Sequence, residues 1–189
     1  MNYSRIYRIM HWAIAICMLL LLATIFLRLT WLNKNNVSDI IQNYLNSINV
    51  SITEDQSILL AKKIRKPMWD WHIYLGYALV GLYSIRLMLP MRGIMRFANP
   101  MSKEHNTKDK LKHWVHIIFY VFVFVSLVTG LLIEHGPKEM KKPLEEIHEL
   151  SLYYLLAYIV IHFAGILMAE FGAQKGIISN IISGSKNEK

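Results

Sequence analysis

Cysteine is almost missing from this chain. The one copy, Cys17, lies inside an apolar run. That excludes a disulfide framework, a cysteine-ligated iron–sulfur cluster and a C-x-x-C-H site for covalent haem. Cys17 itself reads as a small buried apolar residue. Charge is scarce too: 18% of the 189 residues are charged against 54% hydrophobic, and mean hydropathy is +0.30. This excludes an ordinary soluble domain and fits a polytopic membrane protein of one bundle. Acidic residues are fewer than basic ones, 13 against 21, for a net charge of +8. The cations sit between apolar blocks, so their excess points to membrane lipid as the partner and not to nucleic acid. No internal repeat or low-complexity tract is evident.

The apolar residues form four blocks. The first, about 5–32, begins with Arg5 and Arg8 like a signal peptide. It is too long for one and ends on Arg28-Leu29-Thr30-Trp31, with no small-x-small cleavage site, so it reads as an uncleaved membrane helix with Trp12 and Trp31 near opposite interfaces. Residues 33–66 are polar. Val37, Ile40, Ile41, Tyr44, Leu45 and Ile48 keep helical spacing and predict a short amphipathic helix. Thr53-Glu54-Asp55-Gln56 reads as a capping box that opens another, and Pro67 suits the first turn of the next membrane helix. This insert reads as a helical cap on one membrane face, or as a partner-docking surface. The remaining blocks are about 68–89, stopped by Pro90, then 111–134 and 144–171.

The fold predicted is all-α: an integral membrane four-helix bundle running up-down-up-down, one domain over 1–189, with a short helical insert between helices 1 and 2. Four crossings put both termini on one side. That side holds 12 Lys+Arg against 4 Asp+Glu, and the other holds 9 of each. The positive side is expected to be cytoplasmic, with the insert outside.

Eight histidines are present, four of them inside the blocks at two matched depths. His11 comes early on the first helix and His162 late on the fourth. His72 comes early on the second and His148 early on the fourth. On one helix, the 14 residues from His148 to His162 make nearly four turns, about 21 Å at about 1.5 Å per residue. A single intramembrane histidine is most simply a packed, hydrogen-bonded residue. Four at two depths are harder to read that way, because unpartnered polar groups in lipid are costly. Facing imidazoles supply the two axial ligands of a flat haem, whereas zinc usually wants a compact set of four.

Arg86 lies 14 residues after His72, on the same face at the other depth. It is either a partner for a haem propionate or a cation snorkelling to the interface. Gly76, Gly130 and Gly165 give room for a macrocycle or for close helix packing. His116, four residues before Tyr120, could bond a propionate or a quinone, shuttle protons, or simply sit at the interface. His113 likewise lacks a depth-matched partner, and His105 and His135 lie in or beside loops, where solvation is expected.

These stretches together resemble the bacterial di-haem cytochrome b561 family, in the superfamily that includes b-type cytochrome subunits of nickel–iron hydrogenases. The residues that carry the likeness are Tyr7-Arg8-Ile9-Met10-His11-Trp12, residues 72–76 with Arg86-Leu87, residues 116–120 with Thr129-Gly130, His148-Glu149, and His162-Phe163-Ala164-Gly165. The resemblance implies two non-covalent b haems with axial ligands His11, His72, His148 and His162. It also implies electron exchange with quinone in the bacterial inner membrane. Two features depart from compact members: the insert is longer, and the tail 176–184 is closer to the subunit-type cytochromes.

The expected function is transmembrane electron transfer between the quinone pool and a periplasmic or membrane redox protein. The same reading allows a homodimer and a quinone-linked oxidoreductase subunit. Two readings compete with it: a haem-binding membrane anchor of a hydrogenase-like or other periplasmic oxidoreductase, and a haem-free, His-lined proton or metal transporter.

Overall fold

A computed structural model of the chain describes residues 4–95, 101, 106–172 and 175–184. Among the described residues the regular structure is entirely helical: α1 (Arg5–Leu29), α2 (Lys34–Ser47), α3 (Glu54–Met88), α4 (Thr107–His135), α5 (Lys141–Glu149), α6 (Ser151–Phe171) and α7 (Ile177–Ile182), with short 3₁₀ turns at Leu89–Arg92 and Lys138–Met140. The expected all-α class therefore holds. Four segments are long and apolar enough to cross a bilayer: Arg5–Leu29, Glu54–Arg92, Asp109–His135 and Lys138–Phe171. Their large side chains point outward; Leu19, Phe124, Phe163 and Met168 are exposed, and α6 buries none of its residues. In water such surfaces would aggregate, whereas in a bilayer they are the lipid-facing side. In the loop after the second membrane block, which the sequence shows to be basic, Arg96, Lys103 and His105 lie outside the described residues.

The chain falls into two compact units, Ile14–Gly81 and Met1–Ala13 with Leu82–Lys189. In the first, α1 and α3 pack antiparallel. Cys17 Sγ donates to the Leu75 carbonyl at 3.3 Å, Thr24 meets His72 at 2.7 Å, and the Arg28 guanidinium lies 4.3 Å over the Trp69 ring. The amphipathic α2 rests on α3 through a buried Ser38–Ser57 hydroxyl pair at 2.6 Å, and Gln42 donates to the same Ser57 at 2.7 Å. In the second unit, α4 and α6 also run antiparallel. Tyr154 donates to the Phe122 carbonyl at 2.9 Å, Phe119 stacks on Tyr158 at 3.5 Å, and His116 meets His162 at 6.5 Å. The tail is tied down after α6. Glu170 accepts the Gly176 and Ile178 N–H groups, Gly176 takes the left-handed φ of +87° that the turn requires, and Trp12 donates to the Ile181 carbonyl.

Beside the earlier start of α4, at Thr107 where about 111 was expected, three boundaries differ from the sequence expectation. The insert's second helix and the second membrane helix are one 35-residue helix, α3, with Pro67 inside it. The capping box does open this helix: Thr53 N–H donates to Gln56 and Gln56 N–H to the Thr53 hydroxyl. A proline there removes a single backbone bond amid good helix formers, and the Lys66–Asp70 ion pair at 2.8 Å spans it. The fourth block, expected as one helix over 144–171, starts at Lys141 and pauses at Leu150. With neither Pro nor Gly at the joint, the turn tightens so that Leu150 N–H bonds the Ile147 carbonyl at 3.3 Å. His148 and His162 therefore stand on two successive helices, and the straight-helix rise between them does not apply. Third, α1 stops at Leu29, short of the expected Leu32, where the chain turns through residues 30–32 into the Asn33 cap of α2.

Candidate functional site

His162 is the centre of an aromatic and imidazole cluster in the split unit. His11, from the first turns of α1, lies 6.1 Å away between ring centroids. His116, from α4, lies 6.5 Å away on a nearly perpendicular plane. Tyr158, one turn before His162, stacks on it at 5.5 Å, and Tyr7 stacks on His11 at 6.5 Å. The structure thus brings His11 and His162 together and adds His116, for which the sequence offered no depth-matched partner. The antiparallel register of α4 and α6 accounts for this, because pairing 122 with 154 and 119 with 158 carries 116 to 162.

Arg86 is buried at 7% exposure near the end of α3, with its guanidinium 5.5 Å from the Tyr120 ring. Tyr83, one turn earlier, donates to the Tyr120 carbonyl at 2.9 Å and fixes this end of α3 on α4. Burial removes snorkelling as the account of Arg86, because a snorkelled head group would be in water. His113 and His135 are, respectively, partly exposed on α4 and exposed at its last residue.

His148 stands apart from that cluster, near the other end of α4. Its Nδ1 lies 3.0 Å from the Ser126 carbonyl and 3.1 Å from the Thr129 hydroxyl. A carbonyl only accepts, and Thr129 already directs its own O–H to the Val125 and Ser126 carbonyls. Nδ1 must therefore carry the proton, which leaves the lone pair on Nε2. Gly130 makes the space: a Cβ there would come within 3.1 Å of the His148 ring.

The same device recurs. In the Ile14–Gly81 unit, His72 Nδ1 lies 2.7 Å from Thr24 Oγ1, whose O–H goes to the Leu21 carbonyl at 2.6 Å. Trp69 stacks on the His72 ring at 4.7 Å and 4°. On α4, His116 Nδ1 lies 2.7 Å from the Lys112 carbonyl. Three imidazoles on three helices thus hold the tautomer that presents a basic Nε2, the arrangement that orients metal-ligating histidines.

Sequence reasoning missed the supporting residues. Thr24 and Thr129 were legible as rare hydroxyls one or two turns from the depth of a histidine. Tyr158 was legible at the i, i+4 spacing to His162. The carbonyl partners left no sequence signal. Among the described residues no three His, Cys, Asp or Glu side chains converge to hold a bare metal ion.

A sequence profile of the family described as prokaryotic cytochrome b561 matches residues 2–184. No curated protein and no solved structure matches the chain.

In ¹⁵N-histidine NMR of cofactor-free protein, His72, His116 and His148 should each appear as the Nδ1–H tautomer. Thr24→Val removes the acceptor, so His72 alone should shift to a tautomer mixture. An Nε2–H signal for His148 in the unmodified chain would contradict the assignment.

Proposed function

Because the chain belongs to the prokaryotic cytochrome b561 family, we propose that it passes electrons across the bacterial membrane by two b haems, between the quinone pool and a redox protein at the opposite face. The family is one of membrane electron-transfer proteins that bind b-type haem. The observation that carries the reading further is the His11–His162 pair at 6.1 Å. With metal–imidazole bonds of about 2.0 Å on each side, two rings ligating one iron have centroids roughly 6 Å apart. The donor set fits the group: neutral imidazoles, two from different helices, with basic Nε2 atoms set by Nδ1–H bonds elsewhere in the same constellation.

In this reading His11 and His162 hold one haem, and His72 and His148 hold the other. The haem supplies one-electron chemistry; the chain supplies ligation, burial and charge. Thr24 orients His72, and Thr129 with the Ser126 carbonyl orients His148. Gly130 keeps the His148 ring from being pushed aside. Arg86, buried beside Tyr120, is the cation assigned to a haem carboxylate. His116 and Tyr120 line the same end of α4. We assign them to quinone, with the free Nε2 of His116 accepting the hydrogen bond and then the proton of a quinol hydroxyl. The positive-inside count supports a cytoplasmic side for both termini and the outer side for α2.

Redox titration of purified variants tests the pairing. His11→Ala and His162→Ala should abolish the same spectral component, and His72→Ala and His148→Ala the other. If His11→Ala and His148→Ala remove the same component, the pairing is wrong. His116→Ala should keep both components while slowing quinol oxidation about a hundredfold. Loss of a component would instead make His116 a ligand. A cysteine introduced at Ser47 should react with an impermeant maleimide in intact cells; labelling only after lysis would reverse the orientation.

A further inference from the structure

Beyond electron transfer, the Ile14–Gly81 unit carries a cleft of about 190 Å³ lined by Arg28, Lys62, Arg65, Lys66, Met68 and Trp69. We propose that it binds the phosphate headgroup of an anionic phospholipid. Residues 62, 65, 66 and 69 stand at i, i+3, i+4 and i+7, so they share one face of α3 only because that helix continues through Pro67. A break at Pro67 would turn the three cations out of phase with Trp69. Arg28 reaches the same place from the last turn of α1, with its guanidinium 4.3 Å over the Trp69 ring. Stacking occupies the guanidinium face and leaves its N–H edge to donate to a phosphate. Four cations surround the cleft, and the Asp70 carboxylate is held by Lys66 at 2.8 and 2.9 Å.

Depth selects the ligand. α1 ends at Leu29, and the apolar part of α3 begins near Met68, so the cleft lies where both membrane-crossing stretches stop. Trp31 and Trp71 are 71% and 63% exposed at this level, as expected of an interfacial belt. Met68 and Trp69 give an apolar wall below the cations, which suits the glycerol and first methylenes of a lipid and offers nothing to a free anion. The cation cluster repels the ammonium of a zwitterionic headgroup, so an anionic lipid is favoured.

The test is native mass spectrometry of the delipidated full chain with added phosphatidylglycerol or phosphatidylcholine. The chain should retain phosphatidylglycerol in preference to phosphatidylcholine. Arg65→Gln should weaken that retention roughly fivefold, the worth of one basic side chain near an anionic surface. Arg65→Lys should restore most of it. Lys63→Gln, with the same charge loss outside the cleft, should leave it unchanged. Equal losses in Arg65→Gln and Lys63→Gln would reduce the effect to general surface charge and overturn the site. Displacement by inorganic phosphate at the lipid's own concentration would overturn the lipid assignment in favour of a soluble anion. Unchanged lipid retention in Arg65→Gln, with a shifted haem midpoint potential, would assign the cations to a haem carboxylate instead. Retention is read by mass, so it stands or fails separately from haem ligation.

Discussion

An imidazole inside a bilayer needs an acceptor for its N–H, and lipid offers none. An unsatisfied polar group there costs several kcal/mol, about as much as a good fraction of a domain's stability. In this chain the requirement is met three times in one way. Nδ1 gives its proton to a backbone carbonyl or to a threonine oxygen whose own hydrogen is already bonded to its helix. The helix backbone has spare carbonyl lone pairs, so this solution brings in no further polar group. Its chemical consequence is that Nε2 keeps the lone pair. The constraint that lets histidine exist in lipid is thus the same one that leaves a nitrogen lone pair available.

Helix register then decides which imidazoles meet. The antiparallel pairing of α4 and α6 is set by a Tyr154 hydroxyl on the Phe122 carbonyl and by the Phe119–Tyr158 stack. Those contacts carry His116 to His162, and the first turns of α1 bring His11 to the same ring. At the other end of α4, a glycine rather than an alanine at 130 allows His148 to lie against the helix and reach Ser126 and Thr129. Because α3 continues through Pro67, the basic residues 62, 65 and 66 share a helix face with Trp69.

Much of this was legible in the chain. Apolar block lengths gave the four membrane segments, because bilayer thickness leaves few options. Thr53 and Gln56 announced the start of α3 through their reciprocal caps. His11 and His162 were paired from depth alone, and their rings do meet. The effect of Pro67 was not legible, because whether a proline starts a helix or sits within one depends on whether neighbouring turns outweigh one lost bond. Nor was the pause at Leu150, which has no breaker residue and arises from local tightening of the backbone. His116 was left over because the depth argument paired His11 with His162 and so gave no place to a third imidazole at the same level. The carbonyl acceptors were invisible because every residue has one.

The central claim is that the four histidines hold two b haems in one chain. Its most direct measurement is the haem-to-protein ratio by pyridine haemochrome, with electron paramagnetic resonance of the oxidised protein to read the ligand field. The account predicts two haems per chain, both low-spin. A ratio of one or none, or a high-spin signal from fully loaded protein, would contradict it.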